Sequence, residues 1–111
     1  MRYRALTRNN EFQRCYTRGK SFVSACLVTY ITKNRCGKMR VGITTSKKVG
    51  GAVVRNRARR VIRAAMYGVL PQDAGGYDIV FVARAATPKQ KSYQVEKVMK
   101  KHLMDAGVIK E

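Results

Sequence analysis

Apolar positions between Val54 and Met66 fall at Val54, Ala58, Val61, Ile62, Ala65 and Met66. Those spacings draw one continuous stripe along a helix that turns about 100° per residue. Opposite the stripe lie Asn56, Arg59, Arg60 and Arg63, with Arg55 and Arg57 on its flanks. The pattern predicts a surface helix with one edge on a core and one cationic face, ending near Tyr67 and Gly68. A shorter helix is predicted over TRNNEFQRCYTRG: Thr7 can cap it, Phe12, Cys15 and Tyr16 recur at i, i+3 and i+4, and Gly19 supplies a stop. A third helix runs from Ser92 as N-cap to Asp105, with Val95, Val98, Met99 and Leu103 on one face and Gly107 past its end.

Between the helices the period shortens to two. SFVSACLVTYIT is rich in β-branched and aromatic residues and reads as one strand, with Cys26, Val28, Tyr30 and Thr32 on one face and Leu27, Thr29 and Ile31 on the other. KNRCGK then reads as a hairpin connection to a second strand, RVGITTS, expected to pair antiparallel with the first. KKVGG is a loop into the arginine-rich helix. PQDAGG is a turn cluster, and YDIVFVARA is a short apolar run of the kind found in central strands.

The resulting order is α-β-β-(β)-α-β-α, which predicts an α+β fold: a two-layer sandwich of one small, mostly antiparallel sheet with three helices. A chain of 111 residues without repeats or linkers, 45% apolar, fits a single domain over residues 1–111. If the arginine-rich helix links parallel strands, the general rule makes that crossover right-handed.

Charge changes the picture from fold to partner. Lys and Arg number 24 against six acids, a formal net charge of +18. Between Glu11 and Asp73 there is no acid, while fourteen Lys and Arg lie from Arg14 to Arg63. Internal ion pairs are not expected to neutralise that interval, so the counter-charge comes from outside, and a polyanion is the natural source. A membrane surface fits less well, because the helix's apolar edge lacks the Trp, Phe or Leu of interfacial helices. No apolar run approaches the roughly eighteen residues of a membrane-crossing helix, and MRYRALTRNNEF has no signal-peptide core, so a cytoplasmic protein is expected.

Groups able to catalyse on their own are scarce. Nuclease chemistry by side chains needs clustered carboxylates or a histidine pair. The acids Glu11, Asp73, Asp78, Glu96, Asp105 and Glu111 are dispersed, and the single His102 sits among apolar helix positions, where a packed or surface role is expected. Asp78 is expected as a turn or strand-edge residue beside Tyr77. Cys15, Cys26 and Cys36 show no C-x-x-C spacing and are expected as reduced thiols, and no metal site or catalytic residue is assigned to the chain. KKVGGAVVRN matches neither nucleotide-binding glycine pattern. Cations for phosphates, and Phe12, Tyr16, Phe22 and Tyr30 as possible stacking surfaces, leave an RNA- or DNA-binding α+β domain.

SKKVGGAVVRNRARRVIR closely resembles the signature of the bacterial ribonuclease P protein subunit, an Arg-Asn-Arg helix after a Ser-Lys-Lys and glycine loop. The likeness extends through NNEFQRCYTRGKSF, LVTY and YDIVFVAR. It implies a basic protein that binds a catalytic RNA and helps it remove the 5′ leader from precursor tRNA, with Mg2+ held through the RNA and no cofactor on the protein alone. It further implies that Lys47, Lys48, Arg55, Asn56, Arg57, Arg59, Arg60 and Arg63 contact the RNA subunit. Phe12, Tyr16, Val28 and Tyr30 would line a leader-binding cleft, and the crossover would be left-handed. No protein partner or membrane is required. Gly51 stands where the family commonly places Asn. The competing readings are a basic ribosomal or other structural RNA-binding protein, and a protein that compacts duplex DNA.

Overall fold

The computed structural model describes residues 4–70 and 75–109; part of the PQDAGG cluster and the acids Asp73 and Glu111 lie outside them. Among these residues the elements are β1 (Arg4–Ala5), α1 (Asn9–Arg18), β2 (Lys20–Ser24), β3 (Leu27–Lys33), β4 (Arg40–Thr44), α2 (Ala52–Val69), β5 (Tyr77–Ala83), a short 3-10 turn (Thr87–Lys89) and α3 (Ser92–Asp105).

The strands form one mixed sheet in the order β1-β4-β5-β3-β2. β2 pairs antiparallel with β3 and β3 with β5, whereas β4 lies parallel to β5 and β1 parallel to β4. The predicted single strand through Ser24 and Leu27 is instead a tight hairpin that turns at Ala25–Cys26. The predicted β3–β4 hairpin is overturned: β5 inserts between those strands and pairs with both, Tyr30↔Val80 on one side and Gly42↔Val80 on the other. The physical reason is burial. Ile79, Val80 and Phe81 are fully buried, and only the central position covers both faces and both edges of so apolar a strand. α2 is therefore the crossover of a parallel β4-α2-β5 unit.

Alternation along the strands decides where the helices sit. Leu27, Ile31, Ile79, Phe81 and Val41 point to one face, where they pack with Ala58, Ile62, Ala65 and Met66 of α2 and Val95, Met99 and Leu103 of α3. Tyr30, Val80 and Val82 point to the other, where α1 rests. Helices thus flank both faces of the sheet, with α1 alone on its side. The stripe of α2 holds from Ala58 onward, but Val54 is exposed along with Val53, because the first turn runs beyond the sheet.

The helix ends also differ from the simplest capping expectation. Arg8 rather than Thr7 occupies the N-cap of α1, and the Glu11 carboxylate accepts the N–H groups of both Thr7 (3.2 Å) and Arg8 (3.0 Å). Lys91 occupies the N-cap of α3; Ser92 is already helical, and the Gln94 side chain accepts the Lys91 N–H at 2.9 Å. Gly19 does end α1, in extended conformation, and leads directly into β2.

Candidate nucleic-acid interface

α2 presents its cations as the periodicity predicts. Asn56, Arg57, Arg59, Arg60 and Arg63 are exposed, as are Lys47 and Lys48 in the loop before the helix. Gly50, at φ 147°, lets that loop turn into α2 through backbone space that a side chain would strain, and its bare α-carbon accommodates Val54. Among the described residues none of these cations is ion-paired. Arg59 makes one long contact, Nε to Thr45 Oγ1 at 3.4 Å. Arg55 differs from the rest: it is half-buried, and its Nε is shielded from solvent without a hydrogen-bond partner. A buried donor left unpaired costs about 1–3 kcal/mol, and among the described residues no acceptor meets this one.

The four residues expected to line a cleft share the α1 face of the sheet. Tyr16 and Tyr30 meet edge to face, ring centroids 4.9 Å apart at 76°. Phe12 lies one turn back along α1 against Gly42, where a Cβ would come within 2.6 Å of its ring, so β4 can carry only glycine beneath Phe12 as it stands. Cys15 fills the space between, its thiol donating to the backbone oxygens of Tyr30 (3.3 Å) and Asp78 (3.5 Å). Burial pushes that thiol up to about 11, which keeps it protonated and able to donate. Phe12, Tyr16, Tyr30 and Val28 are all half-buried, neither core nor free surface. Register adds two residues that sequence reading did not assign: Val82 opposite Val28, and Val23 on its other side, 64% exposed. Together they form a partly open apolar row across β2, β3 and β5. Only pairing across strands could have revealed it.

The cationic and aromatic surfaces meet at the β4 edge. A cavity of about 270 Å³ opens there, with Leu6, Phe12 and Ile43 on its apolar side and Arg59 and Arg63 from α2 on the other. Phe22, by contrast, packs on the opposite face, where its ring lies 6.0 Å from that of His102.

Two acids have a role that spacing did not disclose. Asp78 is not at a strand edge but fully buried in β5, where it accepts Arg40 Nε and Nη2, both at 2.7 Å, and Asn34 Nδ2 at 2.7 Å. The third arm of the same guanidinium, Nη1, reaches Glu11 Oε2 on α1 at 2.6 Å. One of the fourteen cations in the acid-free interval is thus neutralised internally, by acids that flank the interval. The Arg8 N–H holds the Glu11 carboxyl below its ordinary value, with the Thr7 N–H and Arg40 adding to the effect against desolvation. His102 is buried between Ser24 Oγ and Thr29 Oγ1, each 2.8 Å from a ring nitrogen, and desolvation lowers its pKa. Both nitrogens are taken up by packing, as its helical setting suggested. Among the described residues no three His, Cys, Asp or Glu side chains come close enough to hold a metal ion, and no helix is long and apolar enough to cross a membrane.

The chain as a whole is similar to known proteins. The family described as Ribonuclease P matches residues 1–107. A ribonuclease P protein component from Clostridium botulinum (strain Loch Maree / Type A3) is 39% identical over 109 residues, spanning 97% of this chain and 98% of that protein. The corresponding protein from Clostridioides difficile (strain 630) is 41% identical over 100 residues, 89% and 88% of the two chains. Among solved structures, the RNase P protein of Staphylococcus aureus superposes with a TM-score of 0.79 at 29% identity, covering 96% of this chain and 97% of that one. That of Thermotoga maritima gives 0.75 at 25% identity, covering 96% and 98%.

Proposed function

We infer the division of labour on these surfaces from one premise: the chain belongs to the ribonuclease P protein family and is the protein component of a ribonucleoprotein endoribonuclease that matures the 5′ ends of tRNA. Its partner in the holoenzyme is RNA. On our reading that RNA is the catalytic subunit, gripped through Lys47, Lys48, Arg55, Asn56, Arg57, Arg59, Arg60 and Arg63, and the substrate is precursor tRNA, whose single-stranded leader lies along Phe12, Tyr16, Val28 and Tyr30. The observation that carries this reading is the junction at the β4 edge, where the guanidinium groups of Arg59 and Arg63, without an acid partner among the described residues, and the half-buried ring of Phe12 border one cavity. Phosphates need the first and unstacked bases need the second.

The chemistry itself falls to the RNA. Glu11 and Asp78 are both committed to Arg40 and His102 to two hydroxyl groups, so the described acids offer no cluster for a metal-activated water. Mg2+ would be held by RNA phosphates, with the protein's cations easing the approach of two polyanions. Such work belongs in the cytoplasm, where tRNA is processed.

Reconstitution tests the reading. At low magnesium, the matching RNA subunit with this protein should cleave precursor tRNA at its 5′ end faster than the RNA alone. Tyr16→Ala should weaken holoenzyme binding of leader-bearing tRNA on the order of ten-fold, with mature tRNA bound as before, since stacking contributes about 1–3 kcal/mol per base. Equal losses on both substrates would return the rings to the core.

A further inference from the structure

We propose that Arg40, acting through Glu11, is a positioning residue for leader binding: it sets where α1 holds its rings over the sheet without itself touching RNA. The inference rests on the leader-groove reading and deepens it.

Three features carry it. The first is how little else fixes α1 beyond the weak thiol contacts of Cys15 to the Tyr30 and Asp78 carbonyls, which hold the middle of the helix but not its N-terminal turn. On its side of the sheet the buried cluster is Leu6, Cys15 and Val80, surrounded by half-buried rings. Apolar contact of that extent favours burial but does not dictate angle, because it has no direction. A forked guanidinium does have direction. The second is the frame to which the fork is bolted. Nε and Nη2 of Arg40 engage both oxygens of Asp78, which is fully buried in the central strand and further held by Asn34. Two contacts fix the plane of the group, and the remaining Nη1 then has one place to point, at Glu11 Oε2.

The third feature is the position of Glu11. It precedes Phe12 in the chain and stands one turn before Cys15, so it sits at the base of the aromatic wall. Its second oxygen accepts the Thr7 and Arg8 N–H groups, which fixes the entry of the chain into the helix. A roll of α1 about its axis would lift Phe12 from Gly42 and open the Tyr16–Tyr30 edge contact, and the Glu11–Arg40 bond resists that motion. Two of the chain's six acids converge on this single arginine.

The test separates a local hold from general stability. Glu11→Gln keeps an oxygen for the Thr7 and Arg8 N–H groups, sets an amide against Arg40, and leaves the Arg40–Asp78 pair intact. Arg40→Lys keeps the charge beside Asp78 but cannot fork to both acids. With either variant in the reconstituted holoenzyme, the preference for leader-bearing over mature tRNA should fall roughly five-fold, a part of what loss of a stacking ring would cause. Affinity for mature tRNA and for the RNA subunit should stay at the wild-type level. In the free Glu11→Gln protein, the nuclear Overhauser contacts between the Tyr16 and Tyr30 rings should weaken while those of Phe81 with the α2 side remain. If Tyr16→Ala abolishes the preference and both Glu11→Gln and Arg40→Lys retain it in full, the positioning role is overturned and the groove stands. If Tyr16→Ala leaves the preference unchanged, the groove reading falls and takes this inference with it.

Discussion

The two faces of the sheet are built on different principles. Toward α2 and α3, Phe81, Leu27, Ile62, Met66, Ile79, Met99 and Leu103 are fully buried or nearly so and form one continuous apolar layer. Toward α1, three buried residues suffice, and the rings around them stay half open. What the second face lacks in apolar burial it replaces with directed bonds, the Glu11–Arg40–Asp78 chain and the thiol contacts of Cys15. Apolar burial is concentrated on one side, while the other keeps aromatic surface partly accessible. A fully packed second face would be more stable and would leave none of these rings exposed.

The largest expected effect lies on the closed side. Phe81→Ala should cost about 3–5 kcal/mol in urea or thermal unfolding, because it removes a fully buried ring beneath both helices. A cost below about 1 kcal/mol would mean that the layer is not the stabilising face, and the contrast would collapse.

Acid should reach the two faces in separate windows. The lowered pKa of His102 means that the unfolded chain takes up this proton first; stability should therefore decline as pH falls from the ordinary 6.5 toward the folded value. Glu11, lowered from 4.5, stabilises the fold above that value and loses its contribution as pH falls further. Melting temperature followed from pH 8 to 3 should show both declines, and His102→Gln should flatten the upper one alone. An unchanged upper decline in that variant would remove His102 as its cause.

The smallest effect on stability is expected from Arg60→Ala, within about 0.5 kcal/mol, since the side chain is exposed and unpaired. Its signature should appear in RNA binding instead, as a log–log salt slope reduced by about one unit. Lost stability with an unchanged slope would make Arg60 a structural residue.

Local features were the legible ones. The arginine face of α2, the limits of α3 from Ser92 to Asp105 and the central character of β5 follow from periodicity and composition within a short window. Partner choice was not legible, because it is settled by residues far apart in the chain. KNRCGK looks like a hairpin turn, yet the apolar run of β5 gains more by lying between β3 and β4 than those strands gain by pairing with each other. The same distance concealed the Asp78–Arg40 pair, 38 residues apart, and with it the reason a buried carboxylate is tolerated beside Tyr77. Ala25–Cys26 lacks the Asn-Gly or Asp-Gly of a strong hairpin signal, so one strand was read where the chain makes two. The aromatic cluster was half legible: spacing put Phe12 and Tyr16 on one helix face, while their meeting with Tyr30 depended on how α1 docks.

The place of β5 has a consequence for how the molecule is made. Its residues 77–83 are the last of the sheet to leave the ribosome, yet they occupy its middle, so β3 and β4 emerge first with the edges meant for β5 still open. At roughly 5–20 residues per second, the interval between completing β4 and completing β5 lasts seconds, long compared with the microseconds in which local helices and hairpins form. During that time α1, the β2–β3 hairpin and α2 can be present as local structure while no sheet joins them. The strong positive charge of this early portion would at that stage keep nascent chains apart and guard the open edges against pairing with the wrong strand.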